Sequence, residues 1–237
     1  MRALLLANRS DCDPGLVGAA LRARGYSFTE YLREDHGTWL PDLSPDSISQ
    51  ALMGADLVVA MGSGWSTYWP AVAEPVASEA VLLREAHRRE ISVLGICFGA
   101  QMLSTALGGT VDKTQLPEIG WHQVEPTESL AAQGVQGISG PWMQWHYDRF
   151  SVPDGFSLLA SSQAGPQIIH RDRSMGVQFH PEANESIVAR WCEGTGVDEL
   201  AVRGIDPDEL LERTRTEMAT APQRCSDLID WFFDVTA

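Results

Sequence analysis

"ISVLGICFGAQMLSTALGG", residues 91–109, joins a short apolar run to a Gly-Ile-Cys-Phe-Gly corner and then to a helical pattern with no charged residue. An apolar run without polar alternation reads as a strand buried on both faces, and parallel sheets are built from such strands. The same alternation recurs upstream. "ALLLAN" (3–8) reads as a first buried strand, and "GLVGAALRARG" (15–25) as a helix stopped at Gly25. "YSFTEYL" (26–32) is the next strand, "SPDSISQALMGA" (44–55) a capped helix, and "DLVVAM" (56–61) a strand running into "GSGWST" (62–67). "PVASEAVLLREAHRRE" (75–90) is helical, with Val81, Glu85 and Arg88 along one stripe. Strands alternating with helices predict an α/β fold, an open and mostly parallel sheet with helices on both faces, flavodoxin-like. In that architecture ligands bind beyond the carboxyl ends of the strands, where both "GSGWS" and "CFGAQ" fall.

From about residue 110 the texture changes. "TVDKT", "WHQVEPT", "MQWHYDRFSVP", "FSLLASS", "PQIIHRD" and "SMGVQFHPE" are short β-like segments broken by turn residues, which predicts an antiparallel extension of the sheet. From about residue 183 the pattern is helical. Asp206, Pro207 and Glu209 sit at the N-cap, N1 and N3 offsets of a capping box. Leu228, Trp231, Phe232 and Val235 form an apolar face expected to pack on the core. No linker interrupts the chain, so residues 1–237 are expected to form a single domain, with a core of about 1–185 and a helical C-terminal extension of about 186–237.

The net charge of −15 argues against nucleic acid and anionic membrane surfaces as partners. "MRALLLANRS" has an apolar core too short for a signal peptide or a membrane span. The four cysteines, Cys12, Cys97, Cys192 and Cys225, are scattered without CxxC pairs or zinc-type spacing. Free thiols, no metal, no cofactor and a cytoplasmic location are the expectation.

A lone Cys at a strand–helix corner fits a small buried residue or a nucleophile. The corner resembles a nucleophile elbow, where a sharp turn lifts the side chain to the mouth of a site and a helix N-terminus favours a thiolate. A nucleophile needs a base, and the base needs an orienting group. Among His36, His87, His122, His146, His170 and His180, only His180 carries a pattern: Glu182 follows two residues on, across Pro181. On extended backbone a period of two sends both side chains the same way. His87 reads as plain helix surface, and His36 as part of a polar loop.

"GICFGAQ" with "FHPE", His180 lying 83 residues after Cys97, resembles the class I (triad-type) glutamine amidotransferases, with the glutaminase domain of GMP synthase nearest in pattern. "VVAMGSGWS", "LGGTV", "EIGWHQV" and "QWHYDRFSVPDGFSLLASS" agree in order, over roughly residues 1–185. The resemblance implies Cys97 as nucleophile, His180 as general base and acid, and Glu182 as its orienting group. It implies an oxyanion hole at Gly62, Ser63 and Phe98, and substrate contacts at Gln101, Trp145 and His146. The implied activity is hydrolysis of the side-chain amide of glutamine through a γ-glutamyl thioester. The ammonia would then pass to a separate synthetase subunit, or the natural reaction is simple hydrolysis. A γ-glutamyl amide with a bulkier amine, and a non-catalytic glutamine-binding role, are the alternatives. One departure concerns the family's Gly-Gly-Pro loop, which here is Gly62-Ser63-Gly64, so Ser63 is expected at a backbone angle that suits glycine.

Overall fold

In the computed structural model, which describes residues 1–131 and 138–236, nine strands form one mixed sheet. Strands β1 (Arg2–Ala7), β2 (Ser27–Leu32), β3 (Leu57–Ala60) and β4 (Ser92–Ile96) make up its parallel half. Then come β5 (Val111–Pro126), β6 (Gly140–Phe150), β7 (Ser157–Ser162), β8 (Gly165–Arg171) and β9 (Ser174–Val177). The order is β2-β1-β3-β4-β9-β8-β7-β5-β6. Pairing is parallel as far as β9 and antiparallel from β9 outward. β9 is the seam between the two regimes.

The central strands are buried on both faces, so their side chains divide by the period of two. Ala3, Leu5 and Ala7 pack toward α1 (Gly15–Ala23), while Leu4 and Leu6 pack toward the helices opposite. Those helices are α3 (Pro45–Leu52), α4 (Ala73–Arg88) and α5 (Phe98–Ala106), preceded by the one-turn α2 (His36–Trp39). Full burial of each such leucine contributes about 2 kcal/mol. On α4 the buried residues are Ser78, Glu79, Leu82, Leu83 and Ala86; of the stripe Val81, Glu85 and Arg88, Val81 packs partly buried against the core, Glu85 is partly buried and Arg88 is exposed. His87 is not plain surface: it is half-buried, and its Nδ1 shares a 2.9 Å hydrogen bond with Ser174 Oγ.

After the four-residue α6 (Glu128–Ala131), the remaining helices are α7 (Glu185–Trp191), α8 (Thr195–Arg203), α9 (Pro207–Glu217) and α10 (Ala221–Val235). Helix α10 lies beside α1 and seals its face of the sheet with Leu228, Ile229 and Phe232, all fully buried. Helices α7 to α9 instead pack on β5 and β6 through Val188, Cys192, Leu200 and Leu210. Asp206 caps α9 by accepting from Asp208 N–H at 2.8 Å, whereas the reciprocal Glu209 bond of a capping box is not made. No helix of the described residues is long and apolar enough to cross a membrane.

Candidate active site

β4 ends at Ile96, and the chain turns directly into α5 through Cys97. Cys97 sits at the N-cap of that helix with φ 50° and ψ −108°. This conformation is costly for a residue with a Cβ, on the order of 1–3 kcal/mol. It is fixed from both sides. The Cys97 N–H donates to Val177 O on β9 at 2.8 Å, and its carbonyl accepts from Ala100 and Gln101 N–H at 3.0 and 3.1 Å. The helix is also pressed onto the end of β3, because a Cβ on Gly99 would lie 1.9 Å from Ala60 O. The corner therefore presents the Cys97 side chain while keeping it 4% exposed.

β9 delivers the partner. Past Val177 the backbone leaves the sheet, His180 N–H donates to Met143 O at 2.8 Å, and Ala183 N–H returns to His180 O at 3.3 Å. Residues 180–183 thus form a turn rather than the extended segment expected. The turn still brings the two side chains together, with His180 Nδ1 2.7 Å from Glu182 Oε1. Trp191 of α7 backs the imidazole edge-on at 4.6 Å between ring centres. His180 Nε2 and Glu182 Oε2 are buried without a hydrogen-bond partner. Burial pulls the His180 pKa down, but the Glu182 carboxylate and the Cys97 sulfur outweigh it and hold the imidazole well above its usual value.

The loop after β3 closes the third side. A Cβ on Gly62 would lie 2.9 Å from His180 Cε1 and 3.7 Å from Cys97 Cβ, so only glycine lets this backbone approach both groups. The positive φ expected of Ser63 is absent. Among the described residues the non-glycine positions with positive φ are Glu90, Cys97 and Asp172. The Ser63 hydroxyl instead accepts from Trp65 N–H at 3.1 Å, a local turn bond that an ordinary residue accommodates.

The class-I glutamine amidotransferase family model matches residues 49–188. The chain belongs to this family. It is 29% identical over 191 residues to a GMP synthase (glutamine-hydrolysing) of Aeropyrum pernix, covering 77% of this chain and 36% of that protein. A GMP synthase of Mycobacterium leprae is 37% identical over 144 residues, covering 57% of this chain and 27% of that one. The aligned part is thus about a third or less of these relatives' length. A solved glutamine amidotransferase from Thermotoga maritima superposes with a TM-score of 0.80 at 26% identity, over 98% of this chain and 97% of that one. One from Methylobacillus flagellatus shares the fold, with a TM-score of 0.76 at 23% identity over 98% and 93%.

In this chain a cavity of about 680 Å³ opens over the corner, lined by Cys97, Gln101, Gly62, Ser63, Trp145, His146, His180 and Glu182 among others. Gln101 is buried and weakly held, its Nε2 3.5 Å from both Asp148 O and Gln178 Oε1. The Trp145 indole donates to Glu199 at 2.8 Å, and its carbonyl lies 3.9 Å from the Cys97 sulfur. His146 is different: its imidazole is committed to Asp148 O at 3.0 Å and Glu118 at 3.1 Å. Burial pushes the Glu118 carboxyl up, and His146 with Ser162 more than offsets this, holding it below the usual range. The His146 side chain is therefore part of the scaffold, and its backbone is what remains for a ligand. Phe98 is buried on the inner side of α5.

Three residues at the site carry no local motif. Gln178 donates to the Cys97 sulfur at 3.6 Å. Asp148 accepts from Ser66 Oγ at 2.5 Å and Tyr68 OH at 2.9 Å, tying the loop after β3 to β6. Arg33 is fully buried and clamps the same loop from below, donating to Met61 O at 2.9 Å and Gly62 O at 3.2 Å. Its charge is met by Glu79 at 2.6 Å, and its guanidinium lies 4.8 Å over the Phe98 ring. The only hint of Arg33 in sequence is a charged residue directly after a strand, which ordinarily reads as surface. The four cysteines are free, and burial pushes the Cys192 and Cys225 thiols up, as befits packing residues.

Proposed function

We propose that the chain hydrolyses the side-chain amide of glutamine with Cys97 as nucleophile, His180 as general base and acid, and Glu182 as the group that orients His180. The observation that carries this reading is the strained Cys97 at a helix N-terminus facing the buried His180–Glu182 pair. Sγ attacks the amide carbonyl as the thiolate, with its proton on His180 Nε2. Backbone N–H groups of Ser63 and Phe98, beside Gly62, receive the charge that builds on the carbonyl oxygen. His180 gives its proton to the departing nitrogen, ammonia leaves, and a γ-glutamyl thioester remains on Cys97. Water then attacks the thioester, its proton returns to His180, and glutamate is released. Gln101 and the backbone of Trp145 and His146 hold the amino-acid end of the substrate. An ammonia-accepting synthetase is the partner proposed for this activity.

Purified protein incubated with glutamine is expected to release ammonia, with Cys97→Ala lowering kcat by roughly 10⁴–10⁶-fold. A glutamine-like diazoketone is expected to label Cys97, and excess glutamine to protect it. Equal inertness of wild type and Cys97→Ala toward glutamine, together with no labelling, overturns the assignment and leaves a glutamine-binding protein.

A further inference from the structure

One buried polar side chain beside Cys97 has no part in the hydrolysis as written. Gln178 lies on the segment that leads from β9 to His180, between the fully buried Val177 and Phe179, and is itself 1% exposed. Its backbone N–H donates to Gln167 O at 2.9 Å, which fixes where the side chain starts. A carboxamide in such apolar surroundings costs stability unless its polar atoms are met. Gln178 Nε2 meets the Cys97 sulfur at 3.6 Å, and Gln178 Oε1 faces Gln101 Nε2 at 3.5 Å.

The polarity of this amide is set by its neighbours. Asp148 O can only accept, so the Gln101 atom facing it at 3.5 Å is the nitrogen. The same nitrogen meets Gln178, which must therefore offer its oxygen there and its N–H₂ to the sulfur. A neutral thiol is a weak acceptor, whereas a thiolate takes a charge-assisted hydrogen bond of about twice the strength. The desolvated donor is thus well matched only when the sulfur carries charge. Trp145 O, the acceptor that an S–H proton would use, is farther off at 3.9 Å.

Building on the reading of Cys97 as nucleophile, we propose that Gln178 belongs to the catalytic machinery: its amide N–H holds the Cys97 sulfur in the thiolate form and aims it at the substrate carbonyl. This task is separate from that of His180, which takes the proton, and from the backbone N–H groups that meet the carbonyl oxygen. The other titratable groups on the surrounding elements are Glu182 behind His180 and, on β5 and β6, Glu118, His146 and Asp148. None of them is altered by a substitution at Gln178 alone.

The test follows alkylation of Cys97 by iodoacetamide against pH in the full chain, read on the Cys97 peptide by mass spectrometry. Gln178→Met and Gln178→Leu both fill the space without a donor; should one fail to fold, the other decides. The midpoint of the Cys97 curve is expected to rise by about one pH unit, while the curve of the partly buried Cys12 stays in place. Glutamine turnover at pH 7 should fall about tenfold and recover as pH rises, which a merely loosened core would not do. An unchanged Cys97 midpoint in a folded variant, or a shift shared with Cys12, overturns the role of Gln178. With Cys97-dependent turnover of glutamine intact, that result leaves the nucleophile reading standing. If wild type does not turn over glutamine, the nucleophile reading fails, and the alkylation midpoint still decides whether Gln178 holds the sulfur.

Discussion

Cys97 combines a reactive atom with a backbone conformation that opposes it, and substitution separates the two effects. Cys97→Ala and Cys97→Gly both remove the sulfur, but only glycine is at ease at φ 50°. The glycine variant is expected to be the more stable by about 1 kcal/mol in urea unfolding, with both inactive. His180 makes an independent prediction. Its raised pKa means the folded state binds a proton more tightly than the unfolded chain. The stability this contributes is fully present below the ordinary imidazole pKa and is lost as pH rises through the raised folded value. Glu182→Gln removes a charge that holds the proton, so the contribution should shrink and its loss should be complete at a lower pH. Imidazole NMR titration of His180 should show the downward shift directly.

At the scale of elements, the loop after β3 is set by contacts from three directions: Arg33 below, Asp148 beside it, and Gly62 against His180. Gly62→Ala places a methyl 2.9 Å from an imidazole that Trp191 keeps from retreating. A fall in kcat of about 100-fold is expected, as for other small displacements of reacting groups. Arg33→Met strands the Glu79 charge in the interior and is expected to lower stability by about 3–5 kcal/mol. The pair Arg33→Met/Glu79→Met should recover most of the melting temperature but not kcat, because the carbonyls of Met61 and Gly62 still lose their clamp. Such a split identifies Arg33 as a positioning residue. The elements themselves were legible: "LGICFGAQ" and "DLVVAMGSG" announce strand, corner and helix through apolar runs and glycines. Arg33, Asp148 and Gln178 were not, since their partners lie 25 to 82 residues away and no local pattern encodes the meeting. Likewise His180 and Glu182 meet as foreseen, but by a turn in place of the extended segment.

For the molecule as a whole, the parallel half and its antiparallel extension follow from apolar runs that give way to short broken ones. The order in which the later strands join the sheet does not follow, because β9 inserts beside β4 while β5 to β8 continue outward. The C-terminal helix belongs to the core. Phe232→Ala should cost about 3–5 kcal/mol, whereas Asp230→Ala, which breaks a partly exposed pair with Arg24, should cost no more than about 1 kcal/mol. Thermal or denaturant melts of the two variants check this contrast. The pairing of β4 with β9 also sets a schedule. Cys97 leaves the ribosome 83 residues before His180, about 4–17 s at ordinary elongation speeds. Its strand neighbour does not exist during that interval, so the newborn Cys97 has no imidazole beside it until synthesis has passed the seam.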